Sequence, residues 1–128
     1  MYKYYQPNPV RTDPVGDCTV RALAKALDIS WEKAHVMLDF ASYMMGNISN
    51  GNEVLAAVLR QNGFIRGNFP GDCNNCLTAD EFTQIFPTGT YVLGFGTHVA
   101  TIKDGVLYDS WDSSGETPLY FFEKRKEE

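Results

Sequence analysis

The stretch Thr97-His98-Val99-Ala100-Thr101-Ile102-Lys103-Asp104-Gly105-Val106-Leu107-Tyr108-Asp109-Ser110-Trp111 decides how this chain is read. Two runs rich in β-branched and aromatic residues flank Asp104-Gly105, a dipeptide that accepts the backbone angles of a two-residue hairpin turn. With those two residues in the turn, Lys103 pairs with Val106, Ala100 with Asp109 and His98 with Trp111. Paired residues share a face, and so do residues two apart on a strand. His98 and Asp109 are therefore expected diagonally on one face, within bridging distance.

Outward from the hairpin the two-residue period continues. Tyr91 to Phe95 reads as a strand before it, and Thr117 to Phe122 as a last strand beyond the Ser113-Ser114-Gly115 turn. Glu123 to Glu128 alternates in sign and reads as a solvated end. Before Thr90 the period is helical. Gly16 to Leu27 reads as a helix, with Asp17 as N-cap and Val20, Leu23, Ala24 and Leu27 as its apolar stripe. Cys18 falls on the opposite side of that wheel, beside Arg21, Ala22 and Lys25. Ser30 caps a second helix from Trp31 to about Tyr43, with Val36, Met37 and Phe40 in its apolar face. A third, started by Ser49 or Asn50, runs from about Asn52 to Gln61 on the stripe Val54, Leu55, Val58 and Leu59, and Asn62-Gly63 stops it. Phe64 to Asn75 is the least regular part. Thr78-Ala79-Asp80-Glu81 is a capping box opening a short fourth helix that Pro87 ends. Helices first and an antiparallel sheet last make an α+β domain over residues 1–128: an extended arm (1–15), a helical part (16–87) and the sheet (90–122).

Composition narrows the function. A chain of 128 residues suits one domain with a real core, and a net charge of −5 argues against nucleic acid or an anionic membrane surface as partner. The N-terminal residues lack the apolar core of a signal peptide, and three cysteines without one place the protein in a reducing cytoplasm. Cys73 and Cys76 have CxxC spacing but no second ligand pair, so they are read as loop cysteines holding no metal. No cofactor is expected. His35, inside the second helix, is read as a packed or surface residue. Cys18 differs: a thiol at a helix N-terminus near cationic side chains is where a thiolate is stabilised. Arg21, four residues after Asp17, is read first as its salt-bridge partner, with Asp13 and the thiolate as other targets.

A cysteine on an early helix, followed by a histidine and an acid on a later sheet, resembles the papain-like cysteine peptidase superfamily. Asp109-Ser110-Trp111 is similar to the Asn-Ser-Trp around the third catalytic residue of papain. The set Asp17-Cys18-x-x-Arg21-Ala22, His98, Asp104-Gly105 and Tyr108-Asp109-Ser110-Trp111-Asp112 resembles small papain-like proteins of bacteria and their phages. The resemblance implies a papain-like fold, with the nucleophile helix on the sheet, and the roles nucleophile for Cys18, general base for His98 and orienting acid for Asp109. Asp17, Arg21 and Trp111 would lie near the site. The backbone amide of Cys18 would contribute to the oxyanion hole. The family's usual glutamine, some six residues before the nucleophile, is here Thr12; Gln6 and Asn8 are substitutes, and Asn8, fixed between two prolines, is preferred. Gly94 and Gly96 would either admit a substrate backbone or serve sheet twist. The implied function is a cysteine hydrolase acting on an amide, peptide or isopeptide bond of a peptide or protein substrate. An acyl transferase or deamidase would use the same triad, and a non-catalytic binding module would keep only the fold.

Overall fold

The computed structural model describes residues 1–11, 16–48, 51–67, 69 and 77–125. In chain order the elements are β1 (Tyr2–Tyr4), α1 (Cys18–Leu27), α2 (Trp31–Met45), α3 (Asn52–Gln61), β2 (Phe64–Arg66), α4 (Ala79–Ile85), β3 (Thr90–Gly94), β4 (Val99–Lys103), β5 (Val106–Asp109) and β6 (Tyr120–Lys124). The six strands form one sheet in the order β1-β5-β4-β3-β6-β2. It is mixed rather than purely antiparallel, because β1 runs parallel to β5 at one edge, Tyr2 opposite Leu107 and Tyr4 opposite Asp109. The expected arm is thus partly a strand. Phe64–Arg66, read as irregular, is a strand on the other edge, paired antiparallel with β6. That pairing takes Glu123 and Lys124 into β6, where a solvated end was expected. Three-residue strands carry too little periodicity to be read from sequence.

The β4–β5 hairpin has the register that a two-residue turn demands, Lys103 with Val106, Ile102 with Leu107 and Thr101 with Tyr108, but the ladder stops there: the expected pairs Ala100–Asp109 and His98–Trp111 are not formed, and His98 and Trp111 lie outside the strands. Asp104 and Gly105 both take positive φ, 49° and 78°, as a type I′ turn requires. Alternation along the strands then divides the core. Val92, Val99 and Phe122 face α1, α2 and α3, whereas Leu93, Ala100, Ile102 and Phe121 face α4 through Ala79 and Phe82. The sheet is a middle layer between three helices and one.

α1 is the inner helix and is buried on two sides. Leu23, Ala24 and Ala26 are buried, but so are Arg21 and Ala22 on the side expected to face away from the core. That side lies on the sheet, where the Thr101 hydroxyl donates to the Ala22 carbonyl at 2.7 Å. Lys25, expected beside Cys18, instead holds its ammonium 3.9 Å from the Tyr108 ring centre. In α2 the Ser30 hydroxyl accepts from the Lys33 amide at 3.1 Å, and Gly46 closes the helix in the left-handed conformation. Its buried face is Ala34, Leu38 and Ser42, not the expected Val36 and Phe40, which are 65% and 66% exposed. α3 buries all four residues of its stripe. Its N-cap is Gly51; Ser49 and Asn50 lie outside the described residues. α4 has its full capping box, Thr78 with Glu81.

Candidate functional site

Three elements meet at one rim of the sheet: the start of α1, the start of β4 and the end of β5. A tight connection delivers His98 there, since the Phe95 amide donates to the His98 carbonyl at 2.7 Å across Gly96-Thr97. β5 delivers Asp109, fully buried, and the Tyr5 amide, just past β1, donates to its carbonyl at 2.7 Å. The His98 Nε2 lies 2.6 Å from Asp109 Oδ2. The Ser113 hydroxyl donates to that same oxygen at 2.6 Å, and the Ser110 amide to Oδ1 at 2.7 Å. Phe95 and Trp111 rings flank the imidazole, at 6.0 and 5.3 Å between centres.

A second carboxylate is coupled to the first. Arg21 binds Asp109 Oδ1 through one terminal nitrogen at 3.1 Å and Asp17 Oδ1 through the other at 2.5 Å. Asp17 Oδ2 also accepts from the Trp31 indole at 3.0 Å and from the Asn8 carboxamide at 3.4 Å. Asp17 occupies the N-cap position, yet its side chain caps no amide of α1. The correction has a plain cause: a guanidinium is a stronger partner for a buried carboxylate than a backbone N–H. Asn8 is likewise engaged elsewhere than expected. Its carbonyl oxygen accepts from the Val10 and Arg11 amides while its nitrogen reaches Asp17. Gln6 accepts from the Asn8 amide.

Cys18, half-buried at the first turn of α1, faces this row of charges. Burial pushes its thiol up. Hydrogen bonds from the His98 ring and the Val99 amide, with the charges of His98 and Arg21, outweigh that and bring it below the ordinary 9.0. Since Nε2 is held by Asp109, the ring nitrogen left for Cys18 is Nδ1. Burial likewise lowers His98, but bonding to Asp109 and Cys18 and their negative charges raise it from 6.5 to about 9. Asp109 is held below its ordinary value against burial by His98, Ser113 and the Ser110 amide. Each of the three thus favours the charged form of its neighbour: His98 that of Cys18 and Asp109, and these two that of His98.

Of the residues singled out in the sequence, Cys18, His98, Asp109, Asp17, Arg21 and Trp111 converge here. Asp13, Thr12, Cys73 and Cys76 lie outside the described residues. His35 pairs with Asp39 at 2.8 Å on α2. Gly94 does not admit a substrate: a Cβ there would sit 2.0 Å from the Tyr120 ring, which already lies over it. Gly96 has open space. Ser113, Ser110 and the Val99 amide were missed. A serine four residues past an acid carries no pattern, and a main-chain donor leaves no trace in a sequence. Among the described residues no group of three or more His, Cys, Asp and Glu is disposed to hold a metal, and no helix is long and apolar enough to cross a membrane. No family model, curated protein or solved structure matches this chain.

Proposed function

We propose that this protein is a papain-like cysteine hydrolase that cleaves an amide, peptide or isopeptide bond. The observation that carries the reading is the row Cys18, His98, Asp109, with the imidazole 2.6 Å from the carboxylate and the thiol brought low beside it. The Cys18 thiolate adds to the substrate carbonyl carbon, and the carbonyl π electrons move to oxygen. As that oxyanion re-forms the carbonyl, the C–N bond breaks and the His98 imidazolium gives its proton to the leaving nitrogen. The acyl group stays on Cys18 as a thioester. A water, its proton taken by His98, then adds to the thioester carbon and releases a carboxylic acid and the thiol. Asp109 fixes the tautomer and orientation of the ring throughout. An amine in place of water would make the same site an acyl transferase.

A non-catalytic binding module is the competing reading, favoured by one observation: the Asn8 carboxamide is engaged by Asp17 and its own turn. The two readings separate on the thiol. In a hydrolase, iodoacetamide at pH 6 labels Cys18 far faster than an ordinary thiol, and His98→Ala abolishes the advantage. Labelling of Cys18 no faster than free cysteine favours the module. A library of cleavable peptides then identifies the bond.

A further inference from the structure

Tyr120 opens β6 and sits directly opposite Gly94 of β3, which in turn sits opposite Val99 of β4. Residues so paired share a face, and Val99 belongs to the cluster around α1, against which Tyr120 also packs. Gly94 leaves that row without a side chain at its middle. The Tyr120 ring fills the space, and its hydroxyl end is nearest: Cζ would lie 2.0 Å from a Cβ on Gly94, and the two Cε atoms 2.3 and 2.5 Å. The hydroxyl end of the ring therefore lies over β3 at Gly94, one strand from β4, where the Val99 amide meets the Cys18 sulfur. Arg66 covers the ring at 5.0 Å and Phe122 abuts it edge-on at 6.0 Å, so the orientation is held. Among the described residues the hydroxyl has no hydrogen-bond partner.

We infer that the Tyr120 hydroxyl is the side-chain donor to the oxyanion formed when Cys18 adds to a carbonyl, an inference that rests on the hydrolase reading. It supplies the donor that Asn8, engaged by Asp17, does not. The Cys18 main-chain amide, at the start of a helix whose N-cap side chain is engaged elsewhere, supplies the other. Burial and the negative charge of Cys18 raise the phenol above its ordinary 10.0, despite Arg66. It therefore stays protonated, and able to donate, wherever the thiolate–imidazolium pair exists.

The test compares two reactions of the same sulfur in the full chain. Iodoacetamide alkylates by displacement of iodide and forms no oxyanion. p-Nitrophenyl acetate acylates through a tetrahedral oxyanion, forming the C–S bond as p-nitrophenolate leaves. Tyr120→Phe keeps the ring over Gly94 and removes only the donor. The expected result is Cys18 alkylation unchanged and acylation slower by about 100-fold, the size of a lost oxyanion donor. Equal acylation by Tyr120→Phe and the unsubstituted protein overturns the assignment while leaving the hydrolase reading in place, as does an equal fall in both reactions, which marks a structural role. An unsubstituted protein whose Cys18 alkylates like free cysteine overturns the hydrolase reading, and the assignment with it.

Discussion

His98→Ala removes the cation that holds the Cys18 thiol down, whereas Asp109→Ala leaves the ring but frees it to turn. Alkylation of Cys18 at acid pH is therefore expected to slow more in the first variant than in the second, read by mass spectrometry of the labelled peptide. Hydrolysis has a further limit. The leaving nitrogen needs the imidazolium proton, so turnover is expected to fall on the alkaline side as pH rises through about 9, while alkylation does not. Arg21 has a different part. At 5% exposure between Asp17 and Asp109 it is the countercharge of two buried carboxylates. Arg21→Met leaves both without it, and urea unfolding is expected to show a loss of about 3–5 kcal/mol, the cost of breaking a buried pair from one side. A neutral result would mean that water reaches those carboxylates.

The helices and the hairpin each follow from local chemistry, which is why they were legible. Ser30, the Thr78–Glu81 box, Asn62-Gly63 and Asp104-Gly105 are all signals that act within four residues. What could not be read is which side of an element meets which neighbour. In α2, Val36 and Phe40 have the hydrophobicity of core residues, but α1 and α3 lie over Ala34 and Leu38 instead. The difference is measurable. Leu38→Ala is expected to cost about 2–5 kcal/mol, as a cavity in a packed core does. Phe40→Ala, on the exposed face, should stay within about 0.5 kcal/mol. The reverse order would place the core on the other side of the helix. The strands β1 and β2 were hidden for a related reason: edge strands of three residues take their conformation from β5 and β6 rather than from their own sequence.

Across the whole molecule, the site was legible as residue types but not as a network. Cys18 announces itself by the helix start, and His98 and Asp109 by the turn that brings the two ends of the hairpin together; strand parity did not place them, because the ladder ends at Thr101–Tyr108 and His98 precedes β4. The Asp17–Arg21 pair was legible from its i,i+4 spacing; its union with Asp109 was not, because it depends on α1 lying against the sheet on its polar side. That union shapes stability against pH. His98, raised from 6.5 to about 9, contributes stability that is complete below 6.5 and lost as pH rises through about 9. Cys18, lowered, contributes stability that is complete above its ordinary 9.0 and lost as pH falls through its folded value. Between 6.5 and about 9, once the thiol is ionised, folded and unfolded chains each hold one proton on the pair, so the two slopes cancel. Stability is expected to change little where the two offset each other, and Cys18→Ala, which leaves Asp109 to raise His98, to expose a decline of up to about 1.4 kcal/mol per pH unit; a variant as flat as the unsubstituted protein would show that Asp109 alone does not raise His98. The same arrangement has a consequence for the chain while it is being made. Cys18 is synthesised early, but the imidazole of His98 and the Val99 amide that lower it come at the start of β4, far later. A nascent or unravelled chain carries only a dormant thiol. On the proposed hydrolase reading, the site is armed only by the docking of α1 on the finished sheet.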